Sequence, residues 1–326
     1  MLNWGIYGAG VIASKFATDF KKVKGAKIIA AYGRKESRAI EFCSTYGIDK
    51  WYSDEEAFFN DPEIDVIYVS TPHALHAEVA IKALRAGKHV LCEKPFTLNS
   101  KQSKEVFEVA QVENRFVMEA LWTLFLPAIQ KAFTWVLDGK IGEVKSIEAN
   151  FGFSGDHDPA GRLLNPKLGG GALLDVGIYP VLMANRLTHS VPEQVKAMAH
   201  MTETGVDGSV FVTCQYPNGV LASLNASIEM DMVNSLYIYG SKGHIEIPSF
   251  WMADEVVCTL ESGKETFIAS ENEKQGYHYE AQAVCDAINH GDLTHPCVKP
   301  SFTIALIETL DRIRKDIGLV YEADSL

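Results

Sequence analysis

The chain has 326 residues, more than one hydrophobic core usually organises, and its 47% hydrophobic and 22% charged content is ordinary for a soluble globular enzyme. A formal net charge of −12 argues against nucleic acid or an anionic membrane as partner; no uninterrupted apolar run reaches the length of a membrane span, and no secretion leader is expected. Cysteines 43, 92, 214, 258, 285 and 297 are scattered with no CxxC pair, which fits incidental thiols and a cytoplasmic setting.

Leu2, Trp4, Ile6 and Tyr7 form a β-compatible run that breaks at Gly8-Ala9-Gly10. Val11, Ile12 and Ala13 then open a helical pattern that continues through Phe16, Ala17 and Phe20. Strand, glycine turn and helix are the context in which G-x-G-x-x-G/A signals dinucleotide binding. Gly8 permits the tight turn, Gly10 lets the backbone approach a pyrophosphate, and Ala13 lets helix and strand pack closely. The helix start at Val11 and Ile12 offers free N–H groups and the positive end of its dipole.

Residues 27–32 read as a second strand. A domain that prefers NAD usually places an acid near here to hold the ribose hydroxyls. This chain has Gly33 instead, followed by Arg34, Lys35, Ser37 and Arg38, the cations and hydroxyl that suit a 2′-phosphate. NADP is therefore the expected cofactor, with NAD as the alternative.

Residues 37–46 have the apolar spacing of a helix, and Ser53 with Glu56 reads as the capping box of a shorter helix over 53–60. The run 65–70 is mostly apolar, as in a strand covered on both faces, and ends in Thr71-Pro72-His73-Ala74-Leu75-His76. Strand ends of parallel sheets bind ligand, which places Thr71, Pro72, His73 and His76 among the candidate cofactor contacts. The two histidines have HxxH spacing, but no third ligand completes a set, so no metal is expected. A helix over 77–86 closed by Gly87, a strand over 89–92, a helix over 100–114 and a strand over 116–119 follow. The alternation predicts an α/β class with a doubly wound parallel Rossmann sheet over 1–122.

From about residue 120 the pattern changes. A helix follows Pro127, a long strand covers 143–153, and Gly169-Gly170-Gly171 precede a helical pattern over 172–187. Alternating stretches at 208–216, 219–229, 233–240, 243–247, 255–260 and 264–269 are punctuated by hairpin-like turns. With helices at 277–290 and 301–317, residues 123–326 read as a second α/β domain with an open, largely antiparallel sheet. The last helix is allowed to pack back on the first domain.

Two constellations carry chemistry. Glu93-Lys94-Pro95 stands at the carboxyl end of a strand in the nucleotide domain, and Asp175 and Tyr179, four residues apart, share one helical face. A lysine, a tyrosine and a carboxylate around a nicotinamide suit alcohol oxidation, because the hydroxyl must lose its proton as hydride leaves carbon. Asp175 also has a structural reading, as a hydrogen-bonded buried carboxylate.

GAGVIA, STPHALH, CEKP, MEALWTLFLP and GGGALLDVGIY, in this order and with the terminal helices, resemble the glucose-fructose oxidoreductase/inositol dehydrogenase/MocA (Gfo/Idh/MocA) family over nearly the whole chain. The likeness is to its dimeric dihydrodiol dehydrogenase and D-xylose dehydrogenase branch in particular. The resemblance implies an NADP-dependent oxidoreductase that moves hydride between nicotinamide and a hydroxyl carbon of a sugar or trans-dihydrodiol. It implies a small-molecule substrate, and a dimer or tetramer formed through the open sheet. The family's lysine falls on Lys94, with Glu93 beside it on the cofactor side. Its helix aspartate falls on Asp175, and its histidine-or-tyrosine position on Tyr179, where tyrosine matches the dihydrodiol branch. Trp122 and Phe151 fall where that branch lines its substrate pocket. Tyr179 is then the general acid/base, Lys94 favours its phenolate and polarises the substrate oxygen, and Asp175 orients substrate. Whether Lys94 or Tyr179 carries the proton stays open, as does the identity of the sugar, cyclitol or diol. The competing readings are an NAD-linked inositol or cyclitol dehydrogenase and a non-catalytic NADP-binding sensor.

Overall fold

A computed structural model of the protein describes residues 1–269 and 275–325. The chain divides into two compact units. One is built from 1–97, 101–122 and 275–304; the other is built from the described residues of 98–100, 123–274 and 305–326. Residues 275–304, far beyond position 122 in sequence, thus belong to the first unit.

In the first unit, strands β1 (Leu2–Tyr7), β2 (Ala26–Tyr32), β3 (Lys50–Tyr52), β4 (Val66–Val69), β5 (His89–Glu93) and β6 (Val117–Ala120) alternate with helices. The helices are α1 (Val11–Phe20), α2 (Glu36–Tyr46), α3 (Glu55–Phe59), α4 (His76–Arg85) and α5 (Ser100–Val112). All strand pairs are parallel, in the order β3-β2-β1-β4-β5-β6. Every residue of β4 and β6 is buried, as strands covered on both faces must be. Ile67, Val69, Val90 and Val117 join Ala80, Ala83, Leu84 and Val106 of the helices in one core. The sheet reverses its winding between β1 and β4, so ligand belongs at the carboxyl ends of those two strands.

The short strand β3 was not expected, and α3 starts differently from the sequence reading. Its N-cap is Asp54 rather than Ser53; the Asp54 carboxylate accepts the Glu56 and Ala57 N–H groups. A carboxylate at that position answers the same unpaired amides as a serine and adds a favourable charge at the helix start.

The second unit follows a different plan. Helix α6 (Pro127–Leu137) leads into β7 (Val144–Gly152) and, after a long loop, α7 (Ile178–Thr188). Strands β8 (Gln194–Met201), β9 (Asp207–Gln215), β10 (Leu221–Ser227), β11 (Ser235–Gly240), β12 (Gly243–Pro248), β13 (Glu255–Leu260) and β14 (Gly263–Ile268) complete the sheet. Its order is β14-β13-β12-β11-β7-β10-β9-β8, and among the described residues only the β7–β10 pair is parallel. Helix α8 (Tyr277–His290) belongs to the first unit, and the division falls inside α9 (Pro300–Ile317), after Ile304.

Strand alternation sorts this sheet into two faces. Ile147, Ala149, Val210, Val212, Leu224, Leu236 and Ile238 are buried on one face, the side to which Phe151 also belongs. Met198, Phe211 and Leu221 stand exposed on the other. Strand β8 was missed in the sequence, because its inward residues Val195, Ala197 and Ala199 are small and give a weak period-two signal. The segment Pro166–Thr188 is largely helical and apolar over a length that could cross a bilayer. Of its most apolar window 94% is buried inside the protein, so it is a core segment of this unit.

Candidate active site

The first unit assembles its site at the ends of β1, β2 and β4. Gly8 has φ +108°, and a Cβ there would lie 2.9 Å from the Ser70 carbonyl oxygen at the end of β4. The Gly8 amide donates to the Tyr32 carbonyl at 3.0 Å, and Ser70 Oγ donates to the Gly8 carbonyl at 2.9 Å. The turn is therefore fixed to both neighbouring strands. Gly10, the N-cap of α1, has open space where a Cβ would stand, and no side chain caps the helix. Val11 is exposed, Ile12 half-buried and Ala13 fully buried. That is an open helix N-terminus with backbone access, as a pyrophosphate requires.

Arg34, Lys35, Ser37 and Arg38 are all exposed at the end of β2 and the start of α2, with Lys35 as the N-cap. Glu36 is the one acid in that turn. Thr71, Pro72 and His73 are half-buried at the end of β4, and Thr71 Oγ1 is a buried hydroxyl with no hydrogen-bond partner. An unsatisfied hydroxyl beside an open glycine turn fits a polar ligand lying across the strand ends. These residues fit a nicotinamide dinucleotide.

His76 departs from that set. It is completely buried, with Nδ1 at 2.7 Å from the Pro95 carbonyl and Nε2 at 2.9 Å from the Thr71 carbonyl. Burial and the Lys94 charge hold its pKa below the usual histidine value. The ring lies between the β4 and β5 strand ends, where one of its nitrogens donates to a backbone carbonyl.

Lys94 follows β5 and is half-buried. Glu93 is buried and accepts the Tyr68 hydroxyl and, at 3.2 Å, the Lys94 amide. Two further carboxyls are sealed in this unit. Glu119 accepts the Phe96 N–H and the Thr303 hydroxyl, both at 2.9 Å, and burial pushes its pKa up to about 7. Glu280 of α8 has neither oxygen hydrogen-bonded, and burial with the nearby Glu93 raises its pKa well above the normal value. Burial in this way disfavours the charged form of both carboxyls. Trp122 is buried and stacks on Tyr277, ring centroids 4.6 Å apart.

The second unit gathers Tyr179, Phe151 and Asp175. The helical pattern after the glycine triplet begins not as an α-helix but as a π-turn, Leu173–Gly177, which runs into α7. Such widened turns recur at functional sites. Tyr179 lies in the first turn of α7, buried, with its ring 5.6 Å from Phe151. Phe151 in turn stacks on Trp251 at 4.0 Å. Asp175, within the π-turn, is buried and takes Arg162 Nη1 at 2.8 Å. Trp251 and Arg162 escaped the sequence reading. Both sit in irregular segments, where neither periodicity nor spacing says what a side chain will meet.

An open glycine turn at the strand ends of a parallel sheet is the framework of a dinucleotide-binding domain. The chain belongs to the Gfo/Idh/MocA family: residues 2–121 match the oxidoreductase family with an NAD-binding Rossmann fold, and residues 129–246 match the GFO/IDH/MocA C-terminal domain. It is 34% identical over 334 residues to trans-1,2-dihydrobenzene-1,2-diol dehydrogenase of Mus musculus and 32% identical over 333 residues to that of Homo sapiens. Each alignment covers 99% of both chains. A 3-ketoreductase from Actinomadura kijaniata, solved with NADP and TDP-benzene, superposes with TM-score 0.88 at 25% identity, over 97% of this chain and 98% of that one. An aldose-aldose oxidoreductase from Caulobacter crescentus shares the fold with TM-score 0.89 at 23% identity, over 97% of each chain. The protein is accordingly an NAD(P)-dependent dehydrogenase acting on CH–OH groups.

Proposed function

We propose that the protein is an NADP-dependent oxidoreductase that oxidises a hydroxyl carbon of a trans-dihydrodiol or a sugar. The observation that carries the cofactor choice is the β2 end, where Arg34, Lys35, Ser37 and Arg38 stand exposed beside Gly33. Three cations and a hydroxyl there fit a 2′-phosphate better than a bare ribose. The dihydrodiol dehydrogenases to which the chain is similar, and the NADP-bound 3-ketoreductase of like fold, support the same reading.

Bound nicotinamide would supply the hydride chemistry; this chain's residues bind, orient and move the proton. The Gly8–Gly10 turn and the α1 N-terminus hold the pyrophosphate, and Thr71 Oγ1 is a polar contact beside them. Tyr179 takes the hydroxyl proton as general base, or returns it in the reverse direction. Lys94 favours the phenolate and polarises the substrate oxygen. Phe151 gives the pocket an apolar wall, which suits a ring-bearing diol. Asp175, already engaged by Arg162, orients substrate through the pair they form rather than as a lone carboxylate.

The exposed apolar side chains on one face of the large sheet support pairing of two copies through that face. The catalytic assignment is tested by Tyr179→Phe and Lys94→Met. Each is expected to lower kcat at least about 100-fold while NADPH still quenches tryptophan fluorescence, the usual size of a lost acid–base group. Near-normal turnover in both variants would overturn it.

A further inference from the structure

The segment that carries Asp175 and Tyr179 begins without a local cap. Its first N–H groups need acceptors, yet Gly169, Gly170 and Gly171 have no side chains and Ala172 offers none. The acceptor comes from a different element. Asp207, the first residue of β9, accepts the Leu173 N–H through Oδ2 at 2.6 Å. A Cβ on Gly171 would stand 2.2 Å from Asp207 Oδ1, and one on Gly170 would stand 2.6 Å from the Leu163 carbonyl oxygen. Gly171 is therefore what lets the carboxylate reach the helix start, and Gly170 lets the chain pass close to Leu163.

Asp207 is completely buried, and its Oδ1 has no hydrogen-bond partner. The ionisable groups around it are Arg314 of α9, Glu229 just after β10, and Tyr321. Arg314 is itself paired with Asp311 and Asp324, both at 2.7 Å, and the Tyr321 hydroxyl donates to the Gly170 carbonyl. Burial pushes the Asp207 carboxyl up to about 7, against the opposing pull of the Leu173 and Asp207 amides and of Arg314.

We propose that Asp207 is a positioning residue, a cap supplied from β9 whose charge holds the π-turn and so sets the placement of Tyr179 and Asp175. The inference rests on the reading of Tyr179 as acid/base. The ionised carboxylate makes a charge-assisted bond at the positive end of the helix, while the protonated acid makes a neutral and weaker one. Placement of the phenol then loosens as Asp207 takes up a proton, independently of Tyr179's own titration.

The test compares kcat of the wild type and Asp207→Asn from about pH 5.5 to about pH 8.5, a span that brackets the carboxyl's titration. Asparagine keeps an oxygen for the Leu173 N–H and fills the same space, but carries no charge. The ratio of wild-type to variant kcat is expected near one at the acid end and about 5- to 10-fold at the alkaline end, with its midpoint near 7 and KM for NADP unchanged. Taking the ratio cancels pH effects common to the two proteins. A ratio that is flat across this range, whether at one or at a uniform deficit, overturns the inference. Tyr179→Phe assayed alongside separates the two claims. If it keeps turnover, the acid/base reading falls; if it is inactive while the ratio is flat, only the role of Asp207 falls.

Discussion

Gly33 bears on the choice of nucleotide because packing does not demand a glycine there. A Cβ at this position would meet Ala39 Cβ at 3.5 Å, an ordinary contact, and the backbone is not in the left-handed region. No carboxylate stands here, which leaves the field to Arg34, Lys35 and Arg38. Arg34→Ala and Arg38→Ala are each expected to weaken NADPH binding about 10-fold or more and to leave NADH binding within about 2-fold, the size of one charged hydrogen bond. Fluorescence titration with both nucleotides measures this directly; equal losses for the two would remove the 2′-phosphate from the account. Residues of this kind were legible in the sequence because they follow a recognisable strand and turn. Asp207, Arg162 and Trp251 were not, since each acts on a partner that only the tertiary fold brings near.

At the scale of elements, the βαβ periodicity of the first unit left little freedom. Strands buried on both faces, separated by amphipathic helices, read directly as a parallel sheet. The second unit was legible in its hairpins, whose glycine-rich turns punctuate clear strands. It was illegible where burial rests on alanine, as in β8, and where hydrogen bonding departs from the α pattern, as in the π-turn. Its sheet also carries an expectation of its own. Met198 pairs with Phe211 across β8 and β9, and both are exposed, on the face that also carries Leu221 further along β10. A pair of carboxylates there should be tolerated by the fold but not by an apolar interface. Met198→Asp combined with Phe211→Asp is expected to convert a dimer to a monomer in sedimentation velocity, with the thermal transition within a few degrees. A wild type that sediments as a monomer, or a variant that stays dimeric, would contradict pairing through this face.

For the whole molecule, family and fold establish a dehydrogenase of CH–OH groups, and the chemistry narrows to the substrate oxygen and the nucleotide that takes its hydride. The proposed roles of Lys94, Tyr179 and the cations after β2 amount to one expectation: hydride passes to NADP from a diol or sugar. The residues of that proposal were legible in the sequence, but the substrate was not, because specificity depends on a few side-chain contacts that only the tertiary fold brings together. The most direct measurement is steady-state formation of reduced nucleotide when the protein is offered a trans-dihydrodiol or an aldose with NADP and, separately, with NAD. The account predicts turnover with at least one of these substrates, and a kcat/KM for NADP about 10-fold or more above that for NAD, as a bound 2′-phosphate should give. No reduced nucleotide from any vicinal diol or sugar, despite tight NADP binding, or faster oxidation of cyclitols with NAD, would contradict it.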